Sequence, residues 1–264
     1  MLRLRVITAL SLAAGVLITL FSLPKAGFLF LVLLITGLAL YEWRKLFNFH
    51  QSILHVCSPF LYLAFCAFLY SVPEVHSELL TLFVLLWGVL IIFVTLYPRG
   101  QGIYNKPSLL AFLGLLLLSG GWLGFVSIIS IEGDSGKFWI VWMLLLTTCI
   151  DVGAFFGGRM LGKRKLAPRV SPAKTIEGSL SGVILGMLIC SPIAITFFDM
   201  SPVGSILLTL GLSVIAVFGD LVESLIKRLS GVKDSGSILP GHGGVLDRVD
   251  SILAVAPFLA WSLR

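Results

Sequence analysis

Charge is scarce in this sequence. Only 12% of the 264 residues are Asp, Glu, Lys or Arg, 58% are hydrophobic and the mean hydropathy is +1.04, whereas about a quarter of a soluble globular domain is charged. The shortage excludes a soluble enzyme and identifies an integral membrane protein. Cysteine is nearly as rare: Cys57, Cys66, Cys149 and Cys190 all sit inside apolar runs without metal-ligand spacing, so they read as small packing residues. Two further patterns are missing. No Gly-Lys-Ser/Thr triplet follows the glycine-rich turn, which excludes a Walker A loop. No small-x-small cleavage site precedes Pro24, so the apolar start of the chain, with Arg3 and Arg5 ahead of it, reads as a retained helix and not as a secretory signal.

Apolar sequence is present in about nine runs, at 6–23, 27–41, 53–72, 79–97, 109–131, 138–156, 176–198, 203–222 and 252–263. Each is close to the roughly 20 residues that a spanning helix needs. The expected fold class is all-α, a polytopic integral membrane protein of about nine transmembrane helices in one membrane domain over 1–264. Residues 1–137 read as scaffold and 138–264 as the catalytic region, with cytoplasmic loops at 157–175 and 223–251. Gly178, Gly182 and Gly186, four apart on the seventh helix, offer a close-packing stripe either to a neighbouring helix or to a second copy in a homodimer.

The net charge of +6 poses a question of sidedness and not one of nucleic-acid binding, because Lys and Arg collect on the cytoplasmic face of membrane proteins. With a cytoplasmic N-terminus and nine crossings, that face receives Arg3, Arg5, Arg44, Lys45, Arg99, Lys106, Arg159, Lys163, Arg164, Lys165, Arg169, Lys174, Lys227, Arg228, Lys233 and Arg248. The opposite face receives only Lys25, Lys137 and Arg264. One helix more or fewer would divide the basic loops between the two faces, so function is expected on the cytoplasmic side and the C-terminus outside, in a bacterial inner membrane or an equivalent one.

Two cytoplasmic loops carry chemistry. The segment 151–178 holds six bases, several glycines, Pro168 and Pro172. A positive-inside anchor gripping anionic headgroups, at about 1 kcal/mol per base, explains its charges. It does not explain Asp151 in an apolar helix, where an ionisable group is costly and marks a functional hypothesis. Nor does it explain Ser171 and Thr175, whose hydroxyls flank Lys174 at a helix start suited to phosphate.

The second loop, 219–251, carries Asp220, Glu223, Asp234, Asp247, Asp250, Lys227, Arg228, Lys233 and Arg248 between two hydrophobic runs. If the eighth helix continues through it, Asp220, Glu223, Ser224 and Lys227 share one face, by their spacings of three, four and seven. The plain reading is a solvated helix end with a Glu223–Lys227 pair. Asp247 and Asp250 repeat the three-residue spacing at the next helix start, where acids also serve as caps. Between them PGHGG, residues 240–244, permits a tight turn with exposed N–H groups, as a phosphate-holding loop requires. His242 reads equally as an acid or base, a phosphate ligand or a turn residue. Oxygen ligands from carboxylates suit magnesium, which commonly arrives with nucleotide phosphates.

Together these residues resemble a known family. The run SLIKRLSGVKDSGSILPGHGGVLDRVD, from Ser224 to Asp250, is similar to the signature of the phosphatidate cytidylyltransferase, or CDP-diglyceride synthase, family. It fills the fixed positions Ser224, Lys227, Arg228, Lys233, Asp234, Gly236, Pro240, His242, Gly243, Gly244, Asp247, Arg248 and Asp250. The upstream loop resembles the family's second characteristic region at Asp151, Gly153, Ala154, Gly158, Arg159, Gly162, Leu166, Pro168, Ser171, Pro172, Lys174, Thr175, Glu177 and Gly178. Val152 and Phe155 depart from it, standing where the family has a small hydroxyl residue and a tyrosine. The resemblance covers mainly the last 115 residues, and the first five helices share only topology.

The resemblance implies attack of the phosphatidate phosphate on the α-phosphorus of CTP, giving CDP-diacylglycerol and pyrophosphate, with Mg2+ as cofactor and room for a second cation. Asp220, Asp247 and Asp250 are the implied metal ligands, with Glu223 of second rank beside Asp250. Lys227, Arg228, Lys233, Asp234, His242 and Arg248 are the implied catalytic set. Arg159, Ser171, Lys174, Thr175, Ser224, Gly243 and Gly244 are the implied substrate-binding set. CTP, phosphatidate and membrane lipids are the expected partners, without nucleic acid. A transporter for an anionic lipid is the alternative from another class, although no internal repeat links the two halves. An enzyme using another lipid acceptor, such as an isoprenoid alcohol, is the nearer rival.

Overall fold

A computed structural model describes residues 13–46, 53–99, 106–236, 238 and 243–264. Among them nine helices run in chain order. They are α1 (Ala13–Ser22), α2 (Lys25–Lys45), α3 (Ile53–Ser71), α4 (His76–Leu96), α5 (Pro107–Ile129), α6 (Ser135–Leu161), α7 (Ile176–Phe197), α8 (Pro202–Leu229) and α9 (Leu246–Ser262). Six of these, α2 and α4 to α8, are long and apolar enough to cross a bilayer, and α1 and the described part of α3 are shorter apolar helices. The chain is an all-α membrane protein in its main architecture.

Helix α5 is the centre of the bundle, with 72% of its apolar window buried by other helices. It has this place because its packing face is made of small residues. A Cβ at Gly121 would press on the Leu253 side chain, and one at Gly124 would meet the backbone of Ala256 and Pro257, so α9 lies directly against it. Gly114 accommodates the indole of Trp43 and Gly120 the ring of Phe83. Such close approach is what small residues supply where lipid offers no hydrophobic drive for association.

The glycine stripe on α7 is used within the chain. Cβ atoms at Gly178 and Gly182 would strike the backbone of Ala154, Gly158 and Ile150, and Gly153 of α6 meets Gly182 in return. Helices α6 and α7 therefore pack almost backbone to backbone, and their cytoplasmic ends are joined by a tight link.

That link contains the one β-sheet among the described residues. Strands β1 (Lys165–Ala167) and β2 (Ser171–Thr175) form an antiparallel hairpin in which Lys165 faces Thr175 and Ala167 faces Ser171. Val170 at its turn is buried. Glu177 ties the base of the hairpin by accepting from the amides of Lys163 and Arg164, both at 3.0 Å, and from Arg164 Nε at 2.9 Å.

Candidate active site

Helix α8 outruns its apolar stretch by two turns, and those turns carry the site. Because the helix continues to Leu229, the residues at 220, 223, 224 and 227 share one face, as their spacing predicts. Ser224 Oγ donates to Asp220 Oδ1 at 3.3 Å, and Lys227 Nζ contacts Glu223 Oε2 at 2.5 Å. The helix is closed by paired Gly231 N–H to Arg228 C=O and Val232 N–H to Lys227 C=O bonds, at 3.1 and 3.0 Å. Gly231 takes the left-handed conformation, φ +72°, that this ending demands.

The start of α9 faces this turn. Lys227 Nζ also donates to Asp247 Oδ1 at 2.7 Å, so one ammonium bridges carboxylates from two helices. Asp247 Oδ2 accepts from the N–H of Gly244 at 2.8 Å and of Ser235 at 3.2 Å. A Cβ at Gly243, where φ is +82°, would sit 2.9 Å from that same oxygen. Asp247, expected beside Asp220 as a metal ligand, thus turns to Lys227 and the loop amides instead. The physical reason is position: it lies in the first turn of α9, where unpaired N–H groups and a buried lysine compete for its oxygens.

The acidic group that does assemble is Asp220, Glu223 and Asp250, with one carboxylate oxygen from each lying within 4.8 Å of the others. Glu223 is buried, and its Oε1 has no hydrogen-bond partner among the described residues. Asp250 Oδ1 accepts from the Ser251 amide at 2.7 Å. Close packing brings the helices together here, since Gly219 of α8 lies against Ala254, the Asp250 carbonyl and Ser251 of α9. Three hard oxygen donors, one of them buried and unsatisfied, fit a divalent cation such as magnesium. They are a poor set for a soft metal.

Beside this cluster opens a cleft of about 460 Å³ between α6, α7 and α8, lined by Asp151, Phe155, Arg159, Lys174, Thr175 and Asp220. Lys174 of β2 pairs with Asp220. Thr175 caps α7, accepting from the Gly178 amide at 3.1 Å, whereas Ser171 lies at the other end of β2. Asp151, in α6, lies within electrostatic reach of Asp220, Lys174 and Arg248. Phe155, Phe156, Met160 and Leu161 are exposed along the same helix end, so the cleft carries charge on its inner wall and an apolar surface outside.

The remaining expected residues are distributed differently. Arg228 Nε donates to the Val170 carbonyl at 3.0 Å and holds the hairpin to α8. Lys233 and Asp234 are exposed on the turn after α8, and Arg248 is exposed on the first turn of α9. His242 lies outside the described residues. Sequence reasoning missed Glu42, a buried residue of α2 whose Oε2 accepts from the Leu246 amide at 2.9 Å and from Ser235 Oγ at 3.3 Å. Its signal was the one that marked Asp151, an ionisable residue inside an apolar helix.

Comparison with known proteins bears on this arrangement. The profile described as the Cytidylyltransferase family matches residues 3–264. A phosphatidate cytidylyltransferase of Haemophilus influenzae is 35% identical, with 99% of this chain and 98% of that protein covered. One of Pseudomonas aeruginosa is 36% identical, with 98% and 96% covered. One of Helicobacter pylori is 45% identical over 49% of this chain. Matched over nearly all of its length by the profile and by the first two of these relatives, the chain belongs to the cytidylyltransferase family.

Proposed function

We infer that this protein is a phosphatidate cytidylyltransferase, joining CTP and phosphatidate into CDP-diacylglycerol with release of pyrophosphate. The observation that carries the reading is the cleft in which Arg159 and Lys174 face Asp151 and Asp220 at the edge of an apolar helix surface. Bases suit phosphate oxygens, acids suit a cation, and the apolar edge suits acyl chains that remain in the bilayer. A soluble nucleotide and a membrane lipid need such a boundary to meet.

Asp220, Glu223 and Asp250 would hold magnesium, which when bound supplies positive charge to polarise the α-phosphate and stabilise the leaving pyrophosphate. The chain's own residues do the positioning, which with electrostatic stabilisation accounts for most of the catalysis in such transfers. Lys174 and Arg159 bind phosphate oxygens in the cleft, Arg159 in bidentate fashion and Lys174 as a point charge. Lys227 fixes Glu223 and Asp247 relative to each other, and Arg228 fixes the hairpin that carries Lys174. Lys233, His242 and Arg248 are candidate donors to the triphosphate, with the loop amide of Gly243, since that of Gly244 is given to Asp247; Asp234 is a candidate partner for the bases or the cation. No general base is required, because the attacking lipid phosphate is already ionised near pH 7.

The topology belongs to the same reading. Nine spanning helices with a cytoplasmic N-terminus put every group named above on the cytoplasmic face, and the bacterial origin of the relatives supports an inner membrane. The test is CTP-dependent conversion of phosphatidate to CDP-diacylglycerol by the purified protein in mixed micelles, with and without magnesium. Metal-dependent product is expected. No product from folded protein across a panel of detergents and cations would overturn the reading in favour of another lipid acceptor, or of transport if liposome flux then proceeds without nucleotide.

A further inference from the structure

Glu42 lies far in sequence from every residue assigned to the site, yet its carboxylate is enclosed by the signature loop. It is 1% exposed. Its Oε2 accepts from the amide of Leu246, the first residue of α9, and from the hydroxyl of Ser235. A Cβ at Gly236 would strike its Oε1, and one at Gly244 its Oε2, so the backbone touches the carboxylate from both sides.

The loop's two ends are held by two acids acting together. Ser235 gives its hydroxyl to Glu42 and its amide to Asp247. Leu246 gives its amide to Glu42, and the next residue, Asp247, takes Lys227. Lys227 in turn holds Glu223 of the acidic cluster. The next residue on α2, Trp43, walls a void of about 20 Å³ that reaches Glu223 and Asp250. Both loop donors meet the single oxygen Oε2, while Oε1 is buried without a hydrogen-bond partner among the described residues. The position of Oε2 therefore fixes both donors, one from each end of the loop.

We propose that Glu42 is a positioning residue for cytidylyl transfer, holding the described ends of the signature loop at 235–236 and 244–246, and through Asp247 and Lys227 the acidic cluster, from the N-terminal part of the chain. The proposal rests on the activity inferred above. It is tested with Glu42→Leu, which keeps most of the bulk but accepts neither bond, and with Ser235→Ala, which deletes one of the two.

Each variant is expected to lower kcat about tenfold or more with KM for the lipid unchanged. Each should also speed amide exchange in 233–247 by about tenfold while α5 and α6 exchange as in the parent. The double variant should lose little beyond the worse single one. Parental exchange in the loop of both variants overturns the proposal, whatever the turnover does. Should Glu42→Leu not fold, Ser235→Ala decides alone. If the parent protein shows no CTP-dependent turnover, the activity reading fails, and the exchange arm still decides whether Glu42 sets the loop.

Discussion

Replacing Lys227 with methionine removes a cation shared by two carboxylates. Its Nζ is 2.5 Å from Glu223 and 2.7 Å from Asp247, and the three side chains are 12%, 5% and 11% exposed. At an effective dielectric of about 20 each contact carries roughly 6 kcal/mol of Coulomb energy, most of it offset by desolvation. Breaking a buried pair by removing one partner costs about 3–5 kcal/mol. Protonating an orphaned glutamate at pH 7 sets a similar ceiling, since about 2.7 units at 1.36 kcal/mol each is about 4 kcal/mol. The expected loss is therefore about 3–4 kcal/mol, or roughly 6–16 °C in melting temperature at about 2–4 °C per kcal/mol. Melting should be followed in detergent at one fixed scan rate, because membrane proteins often unfold irreversibly. Adding Glu223→Gln removes an orphaned charge and should recover about half of the loss. A Lys227→Met protein that melts within about 2 °C of the parent would refute the bridge as the tie between α8 and α9, as would a double variant whose penalties simply add.

The other predictions address the cleft and its frame. Asp220→Asn changes charge and hardly volume, so it should abolish turnover while the melting temperature moves by no more than about 1 kcal/mol would allow; retained activity would remove Asp220 from the cation site. Lys174→Ala should lower kcat/KM by about ten- to a hundredfold, mainly through KM for CTP or phosphatidate, and unchanged kinetics would return the hairpin to an anchoring role. Gly182→Val forces a side chain against the Ile150 carbonyl and should cost about 1–3 kcal/mol of stability, read as a lower melting temperature. Thr175→Ala deletes the α7 cap and should cost about 1 kcal/mol, with a larger effect on turnover if the cap also aligns Lys174.

The helices were legible because the bilayer writes them in long apolar runs. Their ends were less so. Helix α6 continues to Leu161 and α8 to Leu229, well past the end of the apolar runs, because the end of α6 carries Arg159 of the cleft and that of α8 carries Glu223, Lys227 and Arg228, and hydropathy falls while the helix goes on. The shared face of Asp220, Glu223, Ser224 and Lys227 could be read from spacing, since intrahelical geometry is local. The choice between Asp247 and Glu223 in the acidic cluster could not, because it depends on which way α9 turns its first residues toward Lys227. The hairpin was hidden by its size, three and five residues with Pro168 and Pro172 among or between them, too short for period-two alternation to stand out. Glu42 was hidden by distance along the chain, for its partners are Ser235 and Leu246.

The seat of α9 on α5 bears on how the protein enters its membrane. Helix α9 has 17 residues, with Asp247, Arg248 and Asp250 in its first five positions, which leaves about twelve apolar positions where a spanning helix needs roughly 20. The groove at Gly121 and Gly124 is synthesised well over a hundred residues earlier. It gives α9 a protein surface to partition onto, so insertion of this segment becomes an act of tertiary docking. Bulky residues at Gly121 or Gly124 would then be felt first during biogenesis, as chains degraded before they ever meet a substrate.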